Sequence, residues 1–169
     1  MKRLVVLAGM TAALLATAAC GGSTQGQSAS TTTSPSHGAL PKDPCSLLSQ
    51  SETTQLGARS AGKAATDLAG YPDCQWAIGQ AILDVTEFTN KGVSKLRPTG
   101  PTASLGMIGS HQAELMFDTQ LNGECSVILA VSSTSAVMVD VQDPRGTPTA
   151  QVCTYAKPIA AAVEKHLPS

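Results

Sequence analysis

Residues 112–142 read QAELMFDTQLNGECSVILAVSSTSAVMVDVQ, and this stretch decides the fold. Apolar residues fall at every second position in three successive runs. Ala113, Leu115 and Phe117 share one face of the first run, 112–119. Cys125, Val127, Leu129 and Val131 share one face of the second, 124–132, and Val137, Val139 and Val141 one face of the third, 135–142. A period of two is that of a strand with one face buried. Asn122-Gly123 between the first two runs is the strongest hairpin signal in the chain, because the tightest hairpin turns need residues that tolerate positive φ. Ser133-Thr134 separates the second and third runs. Three such runs joined by short turns predict antiparallel strands.

The same alternation extends upstream. Residues 74–78 and 81–89 read as two more strands around Gly79-Gln80, a second hairpin signal. Residues 58–72 are rich in Ala and Gly and are expected to be irregular. Residues 90–109 contain Gly92, Pro98, Gly100, Pro101, Gly106 and Gly109, so a long loop is expected there, with a short helical piece at 93–96. Helix signals occupy the two ends of the folded part. Asp43 is placed to cap and Pro44 suits a first helical position. Ser49 and Glu52 have capping-box spacing, and Gly57 makes a natural stop. These signals predict a helical turn at 44–48 and a short helix at 50–56. A final helix is expected at 149–167, with Cys153, Ala156, Ala160, Val163 and Leu167 on its apolar face. Pro158 lies inside it and must kink it or sit on its exposed side. The fold class is therefore α+β: an antiparallel sheet of about five strands with N-terminal and C-terminal helices packed on it.

The chain begins MKRLVVLAGMTAALLATAAC. Lys2 and Arg3 form a positive start, residues 4–15 an apolar run, and small residues lead to Cys20. This is the pattern of a signal peptide, 1–19, too short for a comfortable membrane span. Thr17-Ala18-Ala19-Cys20 resembles a bacterial lipobox, in which the cysteine is lipidated and becomes the first residue. Residues 20–42 are Gly, Ser, Thr, Gln and Pro, with hardly a large apolar side chain. Such a composition cannot offset chain entropy, so a disordered tether is expected. Residues 43–169 fit one extracytoplasmic domain. The expected location is the outer face of the cell membrane, held by an N-terminal diacylglyceryl anchor, since two acyl chains give stable attachment.

Eleven basic residues stand against twelve acidic ones, and loss of Lys2 and Arg3 with the signal makes the remainder more acidic. No basic run is visible, which argues against nucleic acid. Setting Cys20 aside leaves Cys45, Cys74, Cys125 and Cys153. An even number in an exported domain reads as two disulfides. Four cysteines allow three connectivities. Their order favours Cys45–Cys74 and Cys125–Cys153, since each bridge would then staple a helical segment to a strand. No C-x-x-C pair exists and His37, His111 and His166 are scattered, so no metal site or cofactor is expected.

An ordered set of short motifs carries a resemblance. It comprises Cys20 and its tether, Asp43-Pro44-Cys45 with Leu47-Leu48, Ser49-x-x-Glu52, Leu56-Gly57, Cys74-x-Trp76, Gly109 with Ala113, Cys125-x-Val127, Cys153, and the closing Leu167-Pro168. In these the chain resembles the actinobacterial lipoproteins grouped as the domain-of-unknown-function 3558 family. The resemblance implies a cell-surface lipoprotein. It implies no established activity, ligand or catalytic residue.

Candidate chemistry is sparse. Ser110-His111 is an adjacent nucleophile and base, but neighbours in an extended chain point apart, and no G-x-S-x-G elbow is present. Glu114 and Asp118 alternate with apolar neighbours and read as a solvent-facing edge. No catalytic residue is expected, and the chain is not read as an enzyme. Trp76, the single tryptophan, reads first as core beside Cys74 and second as an anchor for a ligand or partner. Met107 and Ile108, with Met116 and Met138, are candidates to line an adaptable apolar pocket rimmed by the 90–109 segment. The expected function is a non-catalytic binding or accessory module for an unidentified envelope ligand or protein. The alternative is a structural module that docks on another envelope protein through its sheet face.

Overall fold

The computed structural model describes residues 39–96, 101–117 and 123–169. The signal peptide, Cys20, residues 20–38 of the tether, and Asn122 lie outside these. One antiparallel sheet organises the domain. Its strands are β1 (Lys63–Thr66), β2 (Pro72–Ile78), β3 (Ala81–Phe88), β4 (Thr102–Ile108), β5 (His111–Met116), β6 (Glu124–Ser132) and β7 (Ser135–Gln142). Their order across the sheet is β1-β2-β3-β7-β6-β5-β4. Two meanders, β1 to β3 and β4 to β7, are thus sewn together where β3 pairs with β7.

The sheet has seven strands where about five were expected. The two extra strands are its edges. β1 comes from the segment read as irregular, and β4 from the segment read as a loop. All four residues of β1 are exposed, and β4 is exposed at most positions. Edge strands that bury so little carry no apolar alternation to read. β4 also has a register shift between Ser104 and Gly106, and a bulge of that kind breaks the period of two. The helical piece expected at 93–96 is a single 3-10 turn, Val93–Lys95.

Residues opposite one another in an antiparallel pair share a face. Cys125 faces Val141, Val127 faces Val139, and Leu129 faces Val137, which sets the apolar side chains of both strands on one inner face. Helix α2 (Thr149–Glu164) lies on that face over β6 and β7. Ala156 and Ala160, one turn apart, are fully buried and let the helix approach closely. Pro158 sits on its exposed side, so the helix runs on past it. The helix ends at Glu164, three residues short of the expected end, though Leu167 still packs on the core. A 3-10 turn, Pro44–Leu47, covers β2 and β3 on the same face and is followed by α1 (Gln50–Gln55). The caps are those the sequence signals: Asp43 accepts from the Cys45 N–H at 2.9 Å, and Ser49 with Glu52 closes a reciprocal capping box.

The disulfides are Cys45–Cys74 and Cys125–Cys153, each tying a helical segment to a strand. With sequence separations of 29 and 28, each contributes about 3–4 kcal/mol in the chain-entropy model. Trp76 is 2 % exposed within the same core. Gly62 passes so close to its ring and to the Cys74 sulfur that a Cβ there would collide with both.

Candidate functional site

The helices do not cover the whole inner face. α1 is only six residues long and ends at the stop that Gly57 provides. At the end of the sheet that carries the β2–β3 turn, a cleft of about 500 Å³ opens between α2 and the segment that follows α1. Leu83 of β3 and Val141 of β7 form its floor, Val152 and Ile159 one wall, and Leu56 and Ile78 the other. Tyr155 and Pro158 stand on the exposed side of α2 along the rim, with Tyr155 54 % exposed. The volume lies within the range of small-molecule sites, and so does the balance of an apolar lining with few polar groups.

Those polar groups cluster at one end. Arg59, Asp143 and Arg145 line the cleft. Ala58 bridges to Ile78, the last residue of β2, which places Arg59 at the turn end. Gln142, the last residue of β7, pairs with Ile82 beside the same turn, so Asp143 and Arg145 leave the sheet there too. The Asp143 carboxylate organises the loop into α2. It accepts from the Arg145 backbone N–H at 3.0 Å, Arg145 Nε at 2.8 Å and the Thr147 hydroxyl at 2.7 Å. The Arg145 side chain, and after it Thr147, hold the Asp143 carboxyl well below the usual range. Asp143 in turn raises the Arg145 guanidinium.

The residues proposed from sequence lie elsewhere. Trp76 is in the core and does not line the cleft. Met107 is 57 % exposed on the edge strand β4, and Ile108 is half-buried at that strand's end opposite His111. Met116 and Met138 face the side of the sheet away from the helices. The described residues of the 90–109 segment supply an edge strand, and none of them lines the cleft. Arg59, Asp143, Arg145 and Tyr155 were missed. A usable signal was present in α2: Tyr155 and Pro158 are apolar bodies three residues apart, off the buried stripe, where a plain surface helix would be polar.

Ser110 and His111 do come together, contrary to the strand argument. Ser110 lies in the β4–β5 turn, outside the strand, and its Oγ is 3.2 Å from His111 Nδ1. Glu164 Oε1 completes the group, 2.7 Å from the Ser110 backbone N, 3.1 Å from its Oγ and 2.9 Å from His111 Nδ1. In a hydrolytic triad the acid holds Nδ1 and the serine faces Nε2. Here acid and serine crowd Nδ1, while Nε2 is 3.1 Å from the Pro168 carbonyl. The geometry is a clasp between the β4–β5 turn and the end of α2. Gly109 makes it possible: φ is +57° there, and a Cβ would strike the Glu164 carboxylate. The Ser110 backbone N–H is the first cause of the lowered Glu164 pKa, and His111 adds to it. A second pair, His166 Nε2 to Glu52 Oε2 at 2.9 Å, ties the same tail to α1.

The other face of the sheet carries Asp73, Asp84 and Asp140. Asp84 stands directly opposite Asp140 in the β3–β7 register. Burial raises all three carboxyls above the usual range, while Thr86, Gln75 and Ser126 hydrogen bonds oppose it. Among the described residues no group of three or more His, Cys, Asp or Glu side chains is placed to hold a metal ion.

The sequence pattern of the family described as "Protein of unknown function (DUF3558)" matches residues 15–166. No curated protein and no solved structure gives a significant match. The match spans the sheet, the cleft and both disulfides, and this chain belongs to the DUF3558 family.

Proposed function

We propose that this protein is a non-catalytic binding module, anchored through lipidated Cys20 on the outer face of the cell membrane, and that it holds a small apolar ligand in the cleft between α2 and the segment that follows α1. The observation that carries the reading is the cleft itself: an apolar lining that includes Leu56, Ile78, Tyr155 and Pro158 over the buried core residues Leu83 and Val141, with its few charges gathered at one end. Two disulfides in so small a core fit an oxidising, exported setting. The N-terminal pattern before Cys20 and the tether composition support the anchor.

Native mass spectrometry of the mature chain, exported behind a secretory leader with Cys20→Ser, tests the binding role. The expected spectrum shows a reproducible extra mass that is lost on denaturation. The variant Ala81→Phe, which fills the cleft from the first residue of β3, should lose that mass. An unliganded spectrum from a host with an intact envelope, together with no binding of apolar probes, would overturn the reading.

A further inference from the structure

The cleft is apolar along its length and charged at one end only. Of the three charged side chains that line it, Arg145 is engaged by Asp143 through Nε, at 2.8 Å, and through Nη2. Its Nη1 edge has no hydrogen-bond partner among the described residues. Arg59 is exposed and makes no ion pair with a described residue. Two guanidiniums and one carboxylate leave a single positive charge at the turn end. The opposite end, towards Ile159 and Pro158, contributes only apolar surface. Guanidinium edges suit planar carboxylates, which they meet with paired hydrogen bonds.

We infer that the ligand of this cleft is a single-chain amphiphile with a monoanionic headgroup, a carboxylate of the fatty-acid class, its head on Arg59 and Arg145 and its chain over Leu56, Ile78, Tyr155 and Pro158. This rests on the binding role proposed above and adds the chemistry of the ligand. A neutral head leaves the Arg59 charge without a counterion beside an apolar body. A cationic head adds repulsion. A phosphate dianion exceeds the one positive charge that the rim supplies.

Isothermal titration of the Cys20→Ser chain with decanoate, decanol, decyl phosphate and decyltrimethylammonium, each below its micelle concentration, separates these cases. Decanoate should bind roughly five-fold or more tighter than decanol, as a charge-assisted hydrogen bond implies, with decyltrimethylammonium weakest. Arg59→Gln, an exposed change, should bring decanoate down to the level of decanol. Ala81→Phe, and the fold-sparing Tyr155→Ala, should weaken both. If decanol or decyl phosphate binds as tightly as decanoate, or Arg59→Gln keeps the preference, the headgroup inference is wrong while the cleft reading stands. If no probe shows binding that depends on Ala81 and Tyr155, both are wrong.

Discussion

Glu87 offers the sharpest test of the fold's energetics. It lies on β3 opposite Val137, on the helix-covered face, and is 1 % exposed. Its Oε1 has no hydrogen-bond partner among the described residues. Burial first, and the Asp43 carboxylate second, push its pKa from 4.5 up to about 7. A carboxyl whose folded pKa is raised favours the folded state only while it is protonated there. Stability from this group is therefore fully present below pH 4.5 and is lost as the pH rises towards about 7, above which the loss is constant. The gap between the two values corresponds to about 3 kcal/mol. Glu87→Gln removes the titration and keeps the shape. Urea denaturation of both proteins at pH 4.5, 6 and 8, with disulfides intact, reads the difference directly. Relative to Glu87→Gln, the native chain should lose about 2–3 kcal/mol between pH 4.5 and 8. Asp43→Asn, which keeps a capping side chain, should shift the window to lower pH without abolishing it. Parallel pH profiles for the native chain and Glu87→Gln would refute the reasoning, because a solvated Glu87 would titrate alike in both states.

The clasp should act at acid pH with the opposite sign. Glu164 has a lowered pKa in the fold, chiefly through the Ser110 N–H, so its contribution is present above the ordinary 4.5 and fades as pH falls through the lower folded value; Glu164→Gln should flatten that acid limb in thermal melts. Gly109→Ala should cost about 1–3 kcal/mol in chemical denaturation, from positive φ and the collision with Glu164; a neutral result would mean the turn does not approach α2. Cys125→Ser should destabilise the domain by about 3 kcal/mol and expose Cys153 alone to thiol labelling, and labelling of Cys45 or Cys74 would contradict the pairing. Cys20→Ala should move the protein out of the membrane fraction or leave its signal uncleaved, and unchanged membrane attachment and gel mobility would refute lipidation.

What the sequence reveals follows from what each segment buries. β2, β3, β6 and β7 lie at or near the centre, and their inner faces read out as alternation at Cys74–Trp76, Leu83–Val85, Cys125–Val131 and Val137–Val141. The helix caps are legible because Asp43 and Ser49 act within three residues of themselves. The disulfides are legible because each joins elements already marked as partners. β1 and β4 are not, since all side chains of β1 and most of β4 face water. The cleft is the least legible part. Its rim comes from the segment after α1, the β2–β3 turn, the loop after β7 and the outer side of α2, while the residues beneath, such as Leu83 and Val152, read as ordinary core. Only the register that sets Gln142 opposite Ile82 brings Arg145 to the end where Arg59 stands. The clasp fails for another reason: the rule that strand neighbours diverge does not apply to Ser110, which lies in a turn.

The position of the cleft follows from how the two meanders are joined. Its floor is the β3–β7 pair, which is the seam between them. One wall belongs to the first meander, where Cys45–Cys74 pins the 3-10 turn that leads into α1 onto β2. The other wall belongs to the second, where Cys125–Cys153 pins α2 onto β6 beside Val152. Each wall thus has its own covalent tie to its own half of the sheet, and neither helix extends far enough to close the turn end. A longer α1 would close over the cleft, although the seam residues Leu83 and Val141 are buried without it. The chain instead stops α1 at Gly57 and ties the α2 entry loop around Asp143, so the opening is held apart by fixed elements on both sides. A site whose walls are ordered before binding loses little entropy when a ligand enters. That preorganisation is the physical link between the two disulfides and the proposed binding role.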